Sequence, residues 1–358
     1  SESLLLKKPT LKVKHEGGRR FSDDSSFYNI IHRWIEEGML YKRVNEPILN
    51  GIDGMFSIAH DKQSQRSWAK AAGLKLTATY EEILLTQIEE SRADVFYNLD
   101  PLRFGSDFLK RLPSKIKFTI AWRAAPSGKA DFGAYDRIVC NFESILQSYR
   151  DMGWQTGWFY PAMDPVIKEY RKDDRSTDIL FVGTYSQYHQ NRAKVIEALA
   201  QLRNKFNIRL HLQLSRLSRI ANSSFGNIPP FRRYRFPHSV STCVRDPVYG
   251  RDLYAALGNT KIVINGAIDM AGSDRGNMRC WEAMGSEALL LTDAGNYPLH
   301  MKDGKTMVTY NSIQDMVDKI TWFLENPKER KFIAESGAKM LQKNYNKDQQ
   351  WKDFVNLL

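Results

Sequence analysis

The chain has 358 residues, of which 42% are hydrophobic, 12% aromatic and 26% charged. This composition is typical of a folded globular protein and excludes wholesale disorder, and at ~150 residues per domain the length indicates two domains. No apolar run approaches the ~18 residues of a membrane-spanning helix. The first residues also lack the order of charge, apolar run and small residues that is typical of a signal peptide, so we expect a cytoplasmic protein.

The cysteines argue against a disulfide framework. Cys140, Cys243 and Cys280 are far apart and odd in number, which excludes a paired framework and a CxxC-type zinc pattern. We expect three buried thiols in a reducing compartment.

The net charge of +11 is concentrated in one stretch. Between Glu197 and Asp246 there is no acidic residue, whereas basic residues recur from Arg203 to Arg245. The positive potential of such a stretch attracts nucleotide phosphates, nucleic acid or an anionic membrane surface. A solvated basic face without a partner has the same composition. The sequence shows no RNP, zinc-finger or helix-turn-helix pattern, so we expect no nucleic-acid partner and keep the membrane surface as a partner.

Short apolar strands alternate with amphipathic helices, a pattern that predicts parallel α/β layers. The predicted elements of the first half are strands at Leu11–Val13 and Met55–Ala59, helices at Phe27–Ile35 and Tyr80–Glu90, strands at Asp94–Leu99, Lys117–Ala121 and Arg137–Cys140, a helix at Glu143–Met152 and a strand at Gly157–Tyr160.

A charged stretch, Lys168–Ser176, is predicted to be an interdomain linker, after which the alternation restarts. The second half is predicted to contain strands at Asp178–Val182, Arg209–Leu214, Lys261–Asn265 and Ala288–Thr292, and helices at Asn191–Arg203, Asp252–Leu257, Met278–Met284, Ile313–Leu324, Lys328–Tyr345 and Gln349–Leu358. Ligands of such sheets bind at the carboxyl ends of the strands, so functional residues are expected in the loops there.

The most informative segment is Gly272–Gly285, in which a polar, glycine-containing loop runs into a helix. The free N–H groups and the dipole at a helix N-terminus favour a phosphate. Arg275 and Arg279 can add charge-assisted hydrogen bonds to a diphosphate. Glu282, inside the helix, can accept two ribose hydroxyls, and Asp274 can bind hydroxyls beyond the diphosphate. The spacing suits a nucleotide-sugar. The three-residue separation of Arg279 and Glu282 suits a surface ion pair equally well.

Several segments resemble the donor-binding half of group 1 glycosyltransferases, in the subgroup of CgeB-like spore-maturation proteins. The similarity spans about residues 117–345. It is carried by Tyr249-Gly250-x-x-Leu253-Tyr254, Lys261–Asn265, Asn277-x-Arg279-x-x-Glu282-Ala283-Met284-Gly285, Ala288–Asp293, and Asp178–Gly183 with Arg192.

The resemblance implies a GT-B fold, an α/β architecture of two Rossmann-like doubly wound domains facing a central cleft. It implies an acceptor-side domain at 1–165, a nucleotide-sugar-binding domain at 166–345 and a terminal helix, 346–358, returning to the first domain. The donor substrate is then a nucleoside-diphosphate sugar, and no cofactor or metal is expected. The chain agrees in lacking a clustered His/Asp set.

The predicted site combines the resemblance with the loop positions. The expected donor-binding residues are Gly183, Tyr185, Arg192, Tyr249, Arg275, Asn277, Arg279 and Glu282. The expected catalytic residues are Asp274, Glu282 and Asp100. Related retaining enzymes carry two glutamates with seven residues between them, and here the first position holds Asp274, whose shorter side chain changes its reach.

The acceptor's proton has two possible destinations. In a retaining reaction the departing phosphate can accept it, whereas an inverting reaction needs a base from the first half of the chain. Four residues at predicted strand ends are candidates to contact the acceptor or to serve as the base: His15, Asp61, Asp100 and Arg123, of which Asp100 is our first choice.

Three functions are compatible with the sequence. The first is a peripheral glycosyltransferase that extends a glycan, lipid-linked or other hydroxyl acceptor, in bacterial cell-surface polysaccharide assembly. The second is a non-catalytic glycan- or coat-associated protein with a degenerate GT-B fold, an alternative that Asp274 supports. Nucleic-acid binding ranks last, because only the basic stretch favours it.

Overall fold

The computed structural model describes residues 52–55, 57, 59, 61–185, 190–213, 216–222, 235–266 and 271–358. The predicted strand at 11–13, the predicted helix at 27–35 and the candidate His15 lie outside these residues, as does part of the basic stretch. The contacts divide the chain into two units, Ser1–Arg92 and Ala93–Leu358. The boundary predicted at 165/166 remains a prediction.

The first unit contains two described helices, α1 (Lys62–Ala71) and α2 (Tyr80–Ser91). Asp61 begins α1 as a cap, because its carboxylate accepts hydrogen bonds from the backbone N–H groups of Gln63 and Ser64. Residues 55, 57 and 59 are outside any strand, in contrast to the strand predicted at Met55–Ala59. Apolar residues alone do not make a strand, since each strand also needs a neighbour to pair with.

The second unit begins with a four-stranded parallel sheet whose strands lie in chain order. The strands are β1 (Val95–Asn98), β2 (Phe118–Trp122), β3 (Arg137–Cys140) and β4 (Thr156–Trp158), with helices α3 (Ser106–Leu109) and α4 (Glu143–Asp151). Each strand lies within two residues of its predicted bounds. Ile138 and Cys140 of β3 are fully buried in one core with Leu146 and Tyr149 of α4.

A six-stranded parallel sheet follows, in the order β10-β9-β8-β5-β6-β7. Its strands are β5 (Thr177–Thr184), β6 (Ile208–Gln213), β7 (Val244–Arg245), β8 (Thr260–Ile264), β9 (Leu289–Asp293) and β10 (Val308–Tyr310). Strand order reverses between β5 and β8, as in a doubly wound nucleotide-binding sheet. The short β7 and β10 were not predicted, because two or three residues carry too little periodicity.

Helices cover both faces of this sheet. They are α5 (Gln190–Gln201), α6 (Arg216–Ala221), α7 (His238–Ser241), α8 (Gly250–Gly258), α9 (Met278–Gly285), α10 (Ile313–Glu325) and α11 (Pro327–Asn344), with 3-10 turns at Pro165–Tyr170 and Leu202–Asn204. Successive side chains of β5 enter different cores: Ile179 and Phe181 pack on one face, and Leu180 packs on the other with α8 and α9. This alternation is the two-residue period of a strand buried on both sides.

The last helix, α12 (Lys347–Leu357), packs against the first sheet. The Phe354 ring lies 5.9 Å from that of Phe159, and Gln350 donates a hydrogen bond of 2.9 Å to the Tyr160 carbonyl. A Cβ on Gly157 of β4 would lie 2.7 Å from the Leu357 side chain, so the glycine permits this close approach. Within the described residues, no helix is both long and apolar enough to cross a membrane.

The predicted linker fastens the end of α9. Arg171 donates two hydrogen bonds, of 3.1 and 2.8 Å, to the Gly285 carbonyl and pairs with Glu287 at 2.9 Å. Arg175 donates to the Ser286 carbonyl at 3.0 Å. Guanidinium groups here satisfy the carbonyls that a helix C-terminus leaves unpaired and oppose the negative end of its dipole. The linker therefore helps to fix the helix that carries the predicted donor residues.

Candidate functional site

The site lies where the strand order of the second sheet reverses, at the carboxyl ends of β5 and β8. Arg192, in the first turn of α5, donates to the Gly266 carbonyl after β8 at 2.6 Å and approaches Thr184 Oγ1 of β5 at 3.5 Å. The arginine is only 8% exposed. A Cβ on Gly183 would lie 3.8 Å from its guanidinium. Arg192, one of the expected donor-binding residues, thus connects the carboxyl ends of β5 and β8.

Helix α9 begins beside these loops with no hydrogen bond from its N-cap side chain. That residue, Asn277, donates instead to Asn265 Oδ1 at 3.2 Å, and Asn265 in turn donates to Thr292 Oγ1 at 3.1 Å. These two hydrogen bonds between side chains connect the start of α9 to the carboxyl ends of β8 and β9. The helix presents an uncapped N-terminus, where backbone N–H groups and the dipole favour an anion.

Arg279 and Glu282, one turn apart on α9, form an ion pair of 2.6 Å, and their side chains are 16% and 18% exposed. Burial raises the pKa of Glu282 above its usual value, although the neighbouring Arg279 opposes the shift. Within the described residues, Arg279 Nε is buried without a hydrogen-bond acceptor. An unpaired buried donor costs about 1–3 kcal/mol, a cost that an oxygen of a bound anion would remove.

Arg275 is held against its own loop. Its Nε donates to Asp293 at 2.5 Å, and its Nη1 donates to the Gly272 carbonyl at 2.7 Å. The close approach requires a glycine at position 295, since a Cβ there would lie 2.5 Å from Arg275 Cγ. Arg275, which was predicted to bind a diphosphate, therefore stabilises the loop between β8 and α9 in this structure.

Asp274 connects the second sheet's loop to the first sheet. Its carboxylate accepts a hydrogen bond of 2.7 Å from the backbone N–H of Ser144, in the first turn of α4. Ser144 Oγ donates to the Ala271 carbonyl at 2.9 Å, and Asn141 Nδ2 donates to the Gly276 carbonyl at 2.7 Å. We call these three bonds the loop–α4 latch. Sequence reasoning missed Asn141 and Ser144, although their position after β3 marks them as residues of a strand's carboxyl end.

A cavity of about 360 Å3 opens between the carboxyl ends of the two sheets. Asp274, Arg275 and Asn277 line it, together with the backbone at Gly276. Its described lining does not include Glu282 or Arg279, which lie further along α9. Of the predicted residues in and before α9, Asp274, Arg275 and Asn277 thus line the cavity, whereas Arg279 and Glu282 form the ion pair. Within the described residues, no cluster of histidine, cysteine, aspartate or glutamate is arranged to hold a metal ion.

Residues 192–356 match the family described as glycosyl transferase-like. HepE from Anabaena, in complex with UDP and glucose, is similar in structure: the TM-score is 0.55 and the identity 11%, over 77% of this chain and 82% of that chain. A glycosyltransferase from Rickettsia africae has a TM-score of 0.54 at 11% identity, over 94% of this chain and 88% of that one. No curated protein sequence matches this chain significantly.

The chain has a GT-B fold, and its residues 192–356 match the glycosyl transferase-like family. The two parallel sheets of this GT-B chain and its family match confirm the fold expected from the sequence. The CgeB-like subgroup and a role in cell-surface polysaccharide assembly stay predictions.

Three other predicted residues of this GT-B chain lie outside the described cavity lining. The Tyr185 hydroxyl donates to Glu197 at 2.7 Å, while its ring packs 4.9 Å from that of Phe236. Tyr249 precedes α8 and is 62% exposed, so its ring is available to a ligand. Asp100 lies in the turn after β1, where its backbone N–H donates to Asn98 Oδ1 at 2.8 Å.

Proposed function

We propose that this chain transfers a sugar from a nucleoside-diphosphate sugar to a hydroxyl acceptor. One observation carries the proposal: among the described residues, Arg279 Nε is a buried donor without an acceptor, near the uncapped start of α9. A diphosphate supplies acceptor oxygens for this N–H and for the backbone N–H groups of the first helical turn. The family match over residues 192–356 supports the same assignment.

The donor's ribose is assigned to Glu282. Its carboxylate already accepts from Arg279 on one oxygen, at 2.6 Å, and can accept ribose hydroxyls as well. Burial raises the pKa of Glu282, so at acid pH protonation of the carboxylate competes with its binding of ribose hydroxyls. The complex of HepE with UDP and glucose makes a UDP-sugar the first donor to test.

The transferred sugar is assigned to the cavity. Asp274 lines the cavity and has one carboxylate oxygen held by Ser144, which leaves the other to contact a sugar hydroxyl. Transfer forms a bond between the acceptor oxygen and the anomeric carbon and breaks the bond from that carbon to the diphosphate. The departing diphosphate accepts the proton of the acceptor hydroxyl. Arg279 and the α9 dipole stabilise the negative charge that develops on it, so the proposal requires no metal ion.

The surroundings of the acceptor are a further part of the proposal. The basic stretch is free of acidic residues between Glu197 and Asp246, which supports a peripheral position at an anionic membrane surface. Vesicle flotation with and without anionic lipid tests this part independently of catalysis.

Nucleotide binding tests the donor site directly. The protein is titrated calorimetrically with UDP, GDP, TDP and CMP, and the matching sugar nucleotides are then followed by NMR of the anomeric product. We expect Glu282→Gln to weaken nucleotide binding by at least about tenfold, since hydrogen bonds to a charged acceptor contribute ~1.5–3 kcal/mol. Glu287→Gln is the matched control, because Glu287 is also paired with an arginine but lies at the far end of α9.

Two results would overturn the proposal. Binding of none of the nucleotides would favour a non-catalytic GT-B protein. Equal losses of affinity in Glu282→Gln and Glu287→Gln would remove Glu282 from the donor site.

A further inference from the structure

The cavity between the two sheets has walls of opposite character. The wall from the second sheet is polar and carries Asp274, Arg275 and Asn277. On the opposite wall, each strand of the first sheet contributes apolar side chains at its carboxyl end: Leu99, Trp122, Phe142, Phe159 and Pro161. The charged residues Asp100 and Arg123, adjacent in sequence to two of these, are not part of the described lining.

The aromatic part of this wall is held rigidly. The Phe159 ring meets Trp122 at 5.9 Å and 71° and Tyr97 at 6.4 Å and 80°, both edge to face. The Phe354 ring of α12 packs behind them, 5.2 Å from Tyr97. Rings fixed by mutual packing lose little conformational freedom when a ligand binds, so the wall is a preformed apolar surface.

The polar side chains at the edge of this wall are already engaged. Asn141 Nδ2 donates to the Gly276 carbonyl at 2.7 Å, and Gln350 Nε2 donates to the Tyr160 carbonyl at 2.9 Å. Lys347 Nζ donates to the side-chain oxygen Oε1 of Gln350 at 3.4 Å. A free sugar placed against this wall would lose water from its hydroxyls without gaining equivalent partners, which is unfavourable.

We propose that the acceptor is a small alcohol whose hydroxyl is carried on an apolar ring body, aromatic or alicyclic. This inference rests on the glycosyl transfer proposed above and names its acceptor class. The cavity volume of about 360 Å3 lies at the low end of small-molecule sites, which favours a compact ring system over a long chain. The ring body stacks on the aromatic wall, and the hydroxyl faces the polar wall, where the donor sugar is assigned.

Acceptor classes are compared with UDP-glucose as donor, or with the sugar nucleotide whose nucleotide binds in the titration. The acceptors are 2-naphthol as a ring alcohol, farnesol as a chain alcohol and maltose as a free sugar. Product formation is measured, and binding of each acceptor in the presence of the nucleotide is measured by saturation-transfer NMR. We expect 2-naphthol to bind and to be glycosylated at least about tenfold more efficiently than the other two, the discrimination that apolar contacts typically provide.

A pair of leucine variants localises the effect. Leu99 lines the cavity and is 59% exposed, whereas Leu102 is 52% exposed and lies outside the described lining. Because both side chains are more than half exposed, neither substitution by asparagine should prevent folding. Leu99→Asn should raise the KM or the Kd for 2-naphthol about tenfold without changing nucleotide affinity, while Leu102→Asn should leave both unchanged.

The outcomes separate the two proposals. If no nucleotide binds, the proposed function fails and the acceptor inference fails with it. If a nucleotide binds, the acceptor inference is overturned by preference for maltose or farnesol, by absence of 2-naphthol binding, or by equal effects of Leu99→Asn and Leu102→Asn. Binding of 2-naphthol that Leu99→Asn specifically weakens supports it, with or without turnover of that probe.

Discussion

The loop–α4 latch makes a measurable prediction about Asp274. Replacing it by alanine removes the carboxylate that accepts from Ser144 N–H at 2.7 Å in the first turn of α4. Loss of a helix-capping side chain costs about 0.5–2 kcal/mol, and loss of the negative charge near the helix N-terminus adds roughly 0.3–1 kcal/mol. We expect Asp274→Ala to lower the free energy of unfolding by about 1–2 kcal/mol. Asp274→Asn keeps an acceptor and should cost about 0.5 kcal/mol, mainly the charge contribution.

Urea unfolding measures the change, and amide hydrogen exchange at Ser144 locates it. Asp107→Ala is the control: its side chain is 97% exposed, so loss of its surface ion pair and of its charge in the first turn of the short helix α3 should cost less than Asp274→Ala. The reasoning is refuted if Asp274→Ala leaves both the unfolding free energy and the exchange rate of the Ser144 amide at their original values.

Three further predictions concern stability. Arg171→Ala should cost about 2–3 kcal/mol in urea unfolding, because the Gly285 carbonyl loses two charged donors; a loss no larger than that of Arg171→Lys would contradict the role of the paired donors. Gly258→Ala should destabilise by about 1–3 kcal/mol, because its Cβ would lie 2.0 Å from the Tyr170 carbonyl oxygen, and an unchanged midpoint would refute this. The pKa of Asp315 is lowered, first by the hydrogen bond from Asn311 N–H, so its stabilisation is present above the ordinary pKa of 3.8 and lost as the pH falls through the folded value. Asp315→Asn should flatten that decline in acid titrations of stability, and an unaltered decline would exclude this contribution.

Donor binding should depend on pH through Glu282. Burial raises the pKa of this carboxyl above its ordinary value of 4.5, so its protonation begins at a higher pH than usual. Since the ionised form is the better acceptor for ribose hydroxyls, nucleotide affinity should fall as the pH is lowered toward that pKa. Calorimetry from pH 7 to about pH 5 should show this fall in the original chain and a flatter profile in Glu282→Gln; parallel profiles would contradict the assignment.

The larger elements could be predicted from sequence because their signals are local. The strand Arg137–Cys140 has its predicted bounds, and α9 extends only one residue beyond the helix predicted at Met278–Met284. In both segments apolar periodicity and flanking polar residues agree. The glycine-containing loop before α9 likewise marked the start of that helix, because free backbone N–H groups there are a property of any helix.

Side-chain partners were beyond such reasoning. Arg275 and Arg192 were expected among the donor-binding residues, yet their guanidinium groups bond to Asp293 and to the Gly266 carbonyl. A charged residue in a loop has several acceptors within reach, and only the three-dimensional path of the loop selects one of them. The latch is similar, since Ser144 and Asp274 are 130 residues apart.

The sequence by itself determined the alternation of strands and helices, the start of the helix at Met278 and the family resemblance, since each depends on neighbours within a few residues or on local motifs. Only the tertiary structure decided that α9 is clamped by Arg171, that Asp274 joins the two sheets, and that four separate strands place apolar side chains on one cavity wall. These features depend on contacts between segments distant in the chain, and packing rather than local preference determines which side chains meet there.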